Sequence, residues 1–197
     1  VDWKRKGGDI ALETCKYINE QGIKCNLYIV GIKDLDYNIE SLDFVKNIGF
    51  LNKNNSDEYQ KLVEIISSCD CLILPTLAEC SAIAFAESSA YGLPIFSHFT
   101  GGVPNYVLDG INGYLLPIGS TGKDFGKKII NCYEKNEIRN MSFKARDFYK
   151  RILNWNTWGD KMKELIEKNI WEKFDIDLYS KKLQNKIVML LLFGIKL

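Results

Sequence analysis

A single histidine and the want of any long apolar run narrow this sequence before its motifs are read. One histidine, His98, with no G-x-S-x-G elbow around any serine, leaves no material for a Ser-His-Asp hydrolase. It reads as a loop or sheet-edge residue. No charge of either sign dominates: 26 basic and 25 acidic residues nearly cancel, so no global field draws the chain to nucleic acid. The six cysteines are scattered, and the one close pair, Cys69-Asp70-Cys71, has no second pair to complete a zinc site. They read as reduced thiols of a cytoplasmic protein. The longest apolar run, "IVMLLLFGI" at 187–195, is less than half of the ~20 residues that span a bilayer. It suits a docking helix or an interfacial segment, which leaves peripheral membrane contact open. No signal-peptide pattern opens the chain, and Val1 is not an initiator methionine, so something is expected to precede it.

What is present is alternation. "GGDIALETCKYINEQG" predicts a helix with Asp9 as N-cap, Gly22 as stop and an apolar stripe of Ile10, Ala11, Thr14, Cys15 and Ile18. "CNLYIVG" (25–31) then reads as a strand buried on both faces, and "NIGFL" (47–51) as a weaker one. Asn55 predicts a cap for a helix carrying Tyr59, Leu62, Val63 and Ile66. "CLILP" (71–75), "LPIF" (93–96) and "GYLLP" (113–117) are further strands, with a Pro-initiated turn in "GGVPNYVLDG". Helices are expected near 122–135, 138–151 and 157–169, with Trp155 and Trp158 anchoring the last of them on the core. Strands and helices in this order predict an α/β fold, a Rossmann-like doubly wound parallel sheet with helices on both faces. Ligands of such sheets bind at the carboxyl ends of the strands.

One such end carries two carboxylates in apolar surroundings, "AECSAIAFAESSAYGLP" at 78–94. Burying either without a partner would cost several kcal/mol. With Ser81 as cap, Glu79 lies on the loop and Glu87 about two turns inside the helix. The N–H groups of Ser81, Ala82 and Ile83 would be unpaired helix-start donors suited to an anion. An acceptor, a phosphate cradle and a second acceptor in that order match a nucleoside-diphosphate sugar. Solvated helix-surface glutamates are the plain alternative. A glycosidase pair fits poorly, since its carboxylates face each other across a cleft.

The run "LPTLAECSAIAFAESSAYGLPIFSHFTGGVPNYVLDGINGYLLP" resembles the signature of retaining GT-B glycosyltransferases of the group 1, glycogen-synthase-like type. The matching positions are Pro75, Thr76, Glu79, Glu87, Gly92, Pro94, Gly101, Gly102, Pro104, Asp109, Gly110, Asn112 and Gly113. The likeness extends weakly from 5–8 to about 169, which would be the C-terminal, donor-binding domain of that fold. This implies a domain over 1–169 with its first strand cut, and a tail over 170–197 that is helical or partly disordered. The family's Gly-Phe-Gly after the first glutamate is Cys80-Ser81-Ala82 here, and the glutamate usual after Gly-Gly-x-Pro is Asn105. The family's usual arginine before the lysine would fall at or before Val1, with Arg5 as a substitute.

Carried over, the resemblance implies Glu79 beside the transferred sugar, as the catalytic position, and Glu87 on the ribose hydroxyls. Lys6, with Arg5, would neutralise the diphosphate leaving group, and the backbone of Gly101 and Gly102 would meet sugar or phosphate. No metal or other cofactor is implied. Asp34-Leu35-Asp36 has the spacing of a metal-binding pair but follows a strand that the family uses near the nucleotide base. The expected activity is retaining transfer of a sugar from a nucleoside diphosphate to an acceptor hydroxyl of a sugar or glycolipid, in polysaccharide or glycoconjugate synthesis. The expected partner is the N-terminal GT-B domain, missing from these residues, without which the chain is expected to be incomplete as an enzyme. A nucleotide-binding or structural fragment without catalysis, and a GT-B nucleotide-sugar epimerase, remain as alternatives.

Overall fold

The computed structural model describes residues 2–33 and 35–173. Residues to Asn154 cluster as one compact unit, and those from Trp155 as a second. In the first, α1 (Gly8–Glu20), β1 (Leu27–Val30), α2 (Tyr37–Glu40), β2 (Val45–Gly49), α3 (Ser56–Ser68) and β3 (Leu72–Ile73) are followed by α4 (Ile83–Ala90) and β4 (Ile95–His98). A 3-10 turn (Val103–Asn105), β5 (Gly113–Leu116), α5 (Gly122–Glu134), α6 (Glu137–Phe148) and a π turn (Tyr149–Leu153) complete it. The second unit is α7 (Trp155–Lys173) in its described part; the remainder of the 170–197 tail lies outside the described residues.

All strand pairs are parallel, as the alternation predicts, but they form two hydrogen-bonded sheets, β1-β2 and β3-β4-β5. The central strand β4 explains the layering. Ile95 packs with Phe85 of α4 and with Val103 and Val107 on one face, whereas Phe96 packs with Phe125 of α5 and Met141 of α6 on the other. Adjacent residues of a strand point to opposite faces, so helices cover the sheet on both sides. At Ile95↔Gly113, a Cβ on Gly113 would lie 2.0 Å from the Ile95 carbonyl oxygen, so only glycine allows β5 this close.

Three local expectations need correction. The N-cap of α1 is Gly7, at φ 74°, and Asp9 instead accepts hydrogen bonds from Trp3 Nε1 and Lys4 Nζ. β1 is not buried on both faces: Ile29 is buried on one, but Tyr28 and Val30 are exposed on the other, which no packed layer covers. His98 is no loop or edge residue but the fully buried last residue of the central strand, edge-on to Phe125 at 5.2 Å. Its Nδ1 lies 3.3 Å from the Thr76 carbonyl oxygen, while its Nε2 is buried without a partner. Within the second unit, Trp155 and Trp158 are exposed and lie edge-to-face with each other at 5.8 Å. The predicted cap of α3 is present: Asn55 Oδ1 accepts from the N–H groups of Asp57 and Glu58. No helix among the described residues is long and apolar enough to cross a membrane.

Candidate functional site

The site is built on the loop that leaves β3, and two other segments hold that loop. From the front of the chain, the turn before α1 lies against it: Leu77 N–H donates to the Arg5 carbonyl at 2.8 Å. The buried Thr76 hydroxyl reaches the carbonyls of both Arg5 (3.2 Å) and Ala78 (3.1 Å). Gly7 is the pivot, since a Cβ there would sit 2.2 Å from the Pro75 carbonyl oxygen in a backbone conformation that side chains avoid. From the other side, the turn after β4 donates Gly102 N–H to the Glu79 carbonyl at 2.8 Å.

This double clamp brings together three of the predicted side chains. Lys6 Nζ pairs directly with Glu79 Oε2, and Arg5 Nη1 lies 3.9 Å from the same oxygen while donating to the Ala78 carbonyl at 2.9 Å. The Glu79 side chain is only 12% exposed and Lys6 23%, so the pair is little screened. The Lys6 hydrogen bond, helped by the Ser81 N–H and Arg5 and opposed by burial, holds the Glu79 carboxyl below its ordinary value of 4.5. The sign follows from that lowering: Glu79 stabilises the fold above pH 4.5, and the contribution is lost as pH falls through its lower folded-state value. The stability gap between the protein and Glu79→Gln is therefore expected to be flat above that pH and to narrow below it, as measured by urea unfolding across pH. A gap that stays constant into acid would show that the pairing does not hold in solution.

The helix start differs from expectation. α4 begins at Ile83 with Ala82 as its cap residue and no side-chain cap. Ser81 turns its hydroxyl to Tyr106 Oη, 2.7 Å away, and its N–H already serves Glu79. Ile83 and Ala84 are left at the start of the helix, with the Ile83 side chain 61% exposed. Gly102 spends its N–H on Glu79, so its backbone shapes the loop rather than standing free for a ligand. Gly101 has φ 48°, and a Cβ there would lie 2.1 Å from the Glu79 carbonyl oxygen. The Asp109 to Gly113 motif is also structural: Asp109 Oδ1 accepts from Leu115 N–H at 2.7 Å, and buried Asn112 ties Leu108 to Tyr106.

Glu87 does not join the Lys6 group. Its partner is Lys53 Nζ, on the loop before α3, which sequence reasoning missed because an Asn-rich loop carries no periodic signal. Both side chains are more than a third exposed, so this pair contributes at most about 1 kcal/mol and a ligand can displace it cheaply. Among the described residues no group of three or more His, Cys, Asp or Glu side chains is placed to hold a metal ion.

The pattern of the family described as "Glycosyl transferases group 1" matches residues 3–147. An uncharacterized glycosyltransferase of Methanocaldococcus jannaschii is 24% identical over 169 residues, 86% of this chain and 42% of that protein. The amylovoran biosynthesis glycosyltransferase AmsK of Erwinia amylovora is 26% identical over 129 residues, 59% of this chain and 30% of that protein. The chain thus spans less than half the length of these curated relatives. Among solved structures, Anabaena HepE in complex with UDP and glucose superposes with a TM-score of 0.65 at 17% identity, over 84% of this chain and 45% of that one. That likeness supports the fold.

Proposed function

The chain belongs to the group 1 glycosyl transferases, and on that premise we propose that it is the donor-binding half of a retaining enzyme that moves a sugar from a nucleoside diphosphate to an acceptor hydroxyl. The observation that carries this is the cluster of Lys6, Arg5 and Glu79 at the carboxyl end of β3, with Lys6 and Glu79 drawn together from 73 residues apart. Before donor binds, Glu79 neutralises Lys6. A diphosphate arriving at the start of α4 competes for the Lys6 ammonium with a doubly charged group, and Glu79 is released to accept from a hydroxyl of the transferred sugar. As the bond to the sugar breaks, negative charge grows on the diphosphate, and Lys6 with Arg5 stabilises it there. No resident metal is needed in this scheme. The weak Lys53 pair leaves Glu87 available to the ribose hydroxyls.

HepE and a pneumococcal O-GlcNAc transferase were both solved with UDP, so UDP is the first probe. Titrating UDP, GDP and ADP into the chain by calorimetry is expected to show binding of one of them. Glu87→Ala is expected to weaken it by roughly ten- to a hundredfold, the worth of hydrogen bonds to a charged acceptor. Heat from none of the three would sink the donor-site reading. The remaining half of the enzyme, in this reading, supplies the acceptor site, and the acceptor is a sugar or glycolipid.

A further inference from the structure

Two of the six cysteines touch. Cys15, on α1, and Cys25, just before β1, place their sulfurs 3.2 Å apart, and the Cys15 thiol also lies 3.3 Å from the Cys25 carbonyl oxygen. Their backbones are held together independently of the sulfurs. The Asn19 carboxamide donates to the carbonyls of Cys15 (2.9 Å) and Cys25 (2.8 Å) and accepts from the Cys25 N–H (3.1 Å). A disulfide needs a separation of about 2.05 Å, so the sulfurs must close by roughly an ångström.

We propose that Cys15 and Cys25 form a reversible redox modification site that a small-molecule disulfide converts to an intramolecular bridge. The chemistry of the two thiols divides the roles. Cys25 is partly exposed, and its hydrogen bond from Cys15 lowers its pKa, whereas Cys15 is buried, and that same bond and its burial hold its thiol up. Cys25 is therefore the attacking thiolate. It attacks one sulfur of the small disulfide and expels the first small thiolate. Cys15 then gives up its proton, attacks the Cys25 sulfur and expels the second. The protein loses two hydrogens, and two small thiols carry them away. The other thiols are poorer candidates: burial raises Cys69, pushes Cys71 up to about 12 and Cys132 up to about 11, and Cys80 is exposed with no thiol paired to it.

The test uses the full chain, folded, incubated with oxidised glutathione, then alkylated in denaturant and digested with trypsin. Lys16 and Lys24 let the enzyme separate the two cysteines. Mass spectrometry is expected to find their peptides linked, with two of the six cysteines lost to alkylation and regained after dithiothreitol. Cys25→Ser is expected to leave Cys15 fully alkylated. A lasting glutathione adduct on Cys25, a link from Cys25 to Cys71, or full alkylation of both thiols while Cys80 is oxidised would each overturn the proposal.

Discussion

Lys6→Ala is expected to lower the kcat of the whole enzyme about 10²- to 10³-fold, the loss typical of removing one positioned donor from developing charge. The reasoning starts from the backbone. Lys6 N–H donates to the Asp2 carbonyl at 3.0 Å and Gly7 N–H to the Lys4 carbonyl at 3.1 Å, so the turn is closed on itself before it docks on the β3 loop. The backbone that carries Lys6 is thus fixed, and in the proposed reaction that turn need not rearrange when the diphosphate departs. In the proposed reaction the benefit of Lys6 rises as the sugar bond breaks, so the loss should fall on kcat, whereas Glu87→Ala, if it removes ground-state ribose contacts, should fall on KM. A rival explanation is that Lys6 only neutralises Glu79, leaving Arg5 at 3.9 Å as a poor substitute when it is removed. The double variant separates them: in the Glu79→Gln background Lys6→Ala should cost little more if neutralisation is its whole role, and the full factor if Lys6 acts on the leaving group. Unchanged kcat in Lys6→Ala would remove Lys6 from the mechanism.

What could be read from sequence was whatever is decided within a few residues. The stripe on α1 is buried at Ala11, Thr14, Cys15 and Ile18, and Asn55 caps α3. What escaped was decided by distant residues. Asp9 is the better cap by composition, yet the cap is Gly7, where the chain docks on Pro75 so closely that there is room for nothing larger than hydrogen. Ser81 has the right hydroxyl for a cap, and Tyr106, 25 residues on, takes it. "LYIV" has the composition of a strand buried on both faces, but burial depends on which elements pack above and below the sheet, which a local run does not encode. His98 was misplaced for a similar reason: nothing in "SHFT" states that the strand lies between two others. The candidate site divides similarly. Its glutamates were visible through the family motif, but the pairing of one with Lys6 and of the other with Lys53 depends on loops folding back across the chain.

Gly102→Ala is expected to lower stability by about 2–4 kcal/mol, combining an overpacked contact with a lost hydrogen bond. Conformation is not the reason. Gly102 has φ −85° and ψ 0°, which alanine adopts readily, so conformational preference alone predicts no loss. The reason is space: a Cβ would lie 1.9 Å from the Cys80 carbonyl oxygen and 2.9 Å from its carbon, and backbone cannot yield as a flexible side chain does. The turn must move away, and with it goes the 2.8 Å bond from Gly102 N–H to the Glu79 carbonyl. Gly22→Ala is the control, because its φ of +84° is the strained kind but nothing lies within 4 Å of the added carbon, so only about 1 kcal/mol is at stake. The melting temperature of Gly102→Ala should fall clearly further than that of Gly22→Ala, and its nucleotide affinity should drop as well, since Glu79 loses one of the two turns that place it. Equal melting temperatures for the two variants would mean that the β4 turn does not press on the Glu79 loop, and the double clamp around the site would have to be given up.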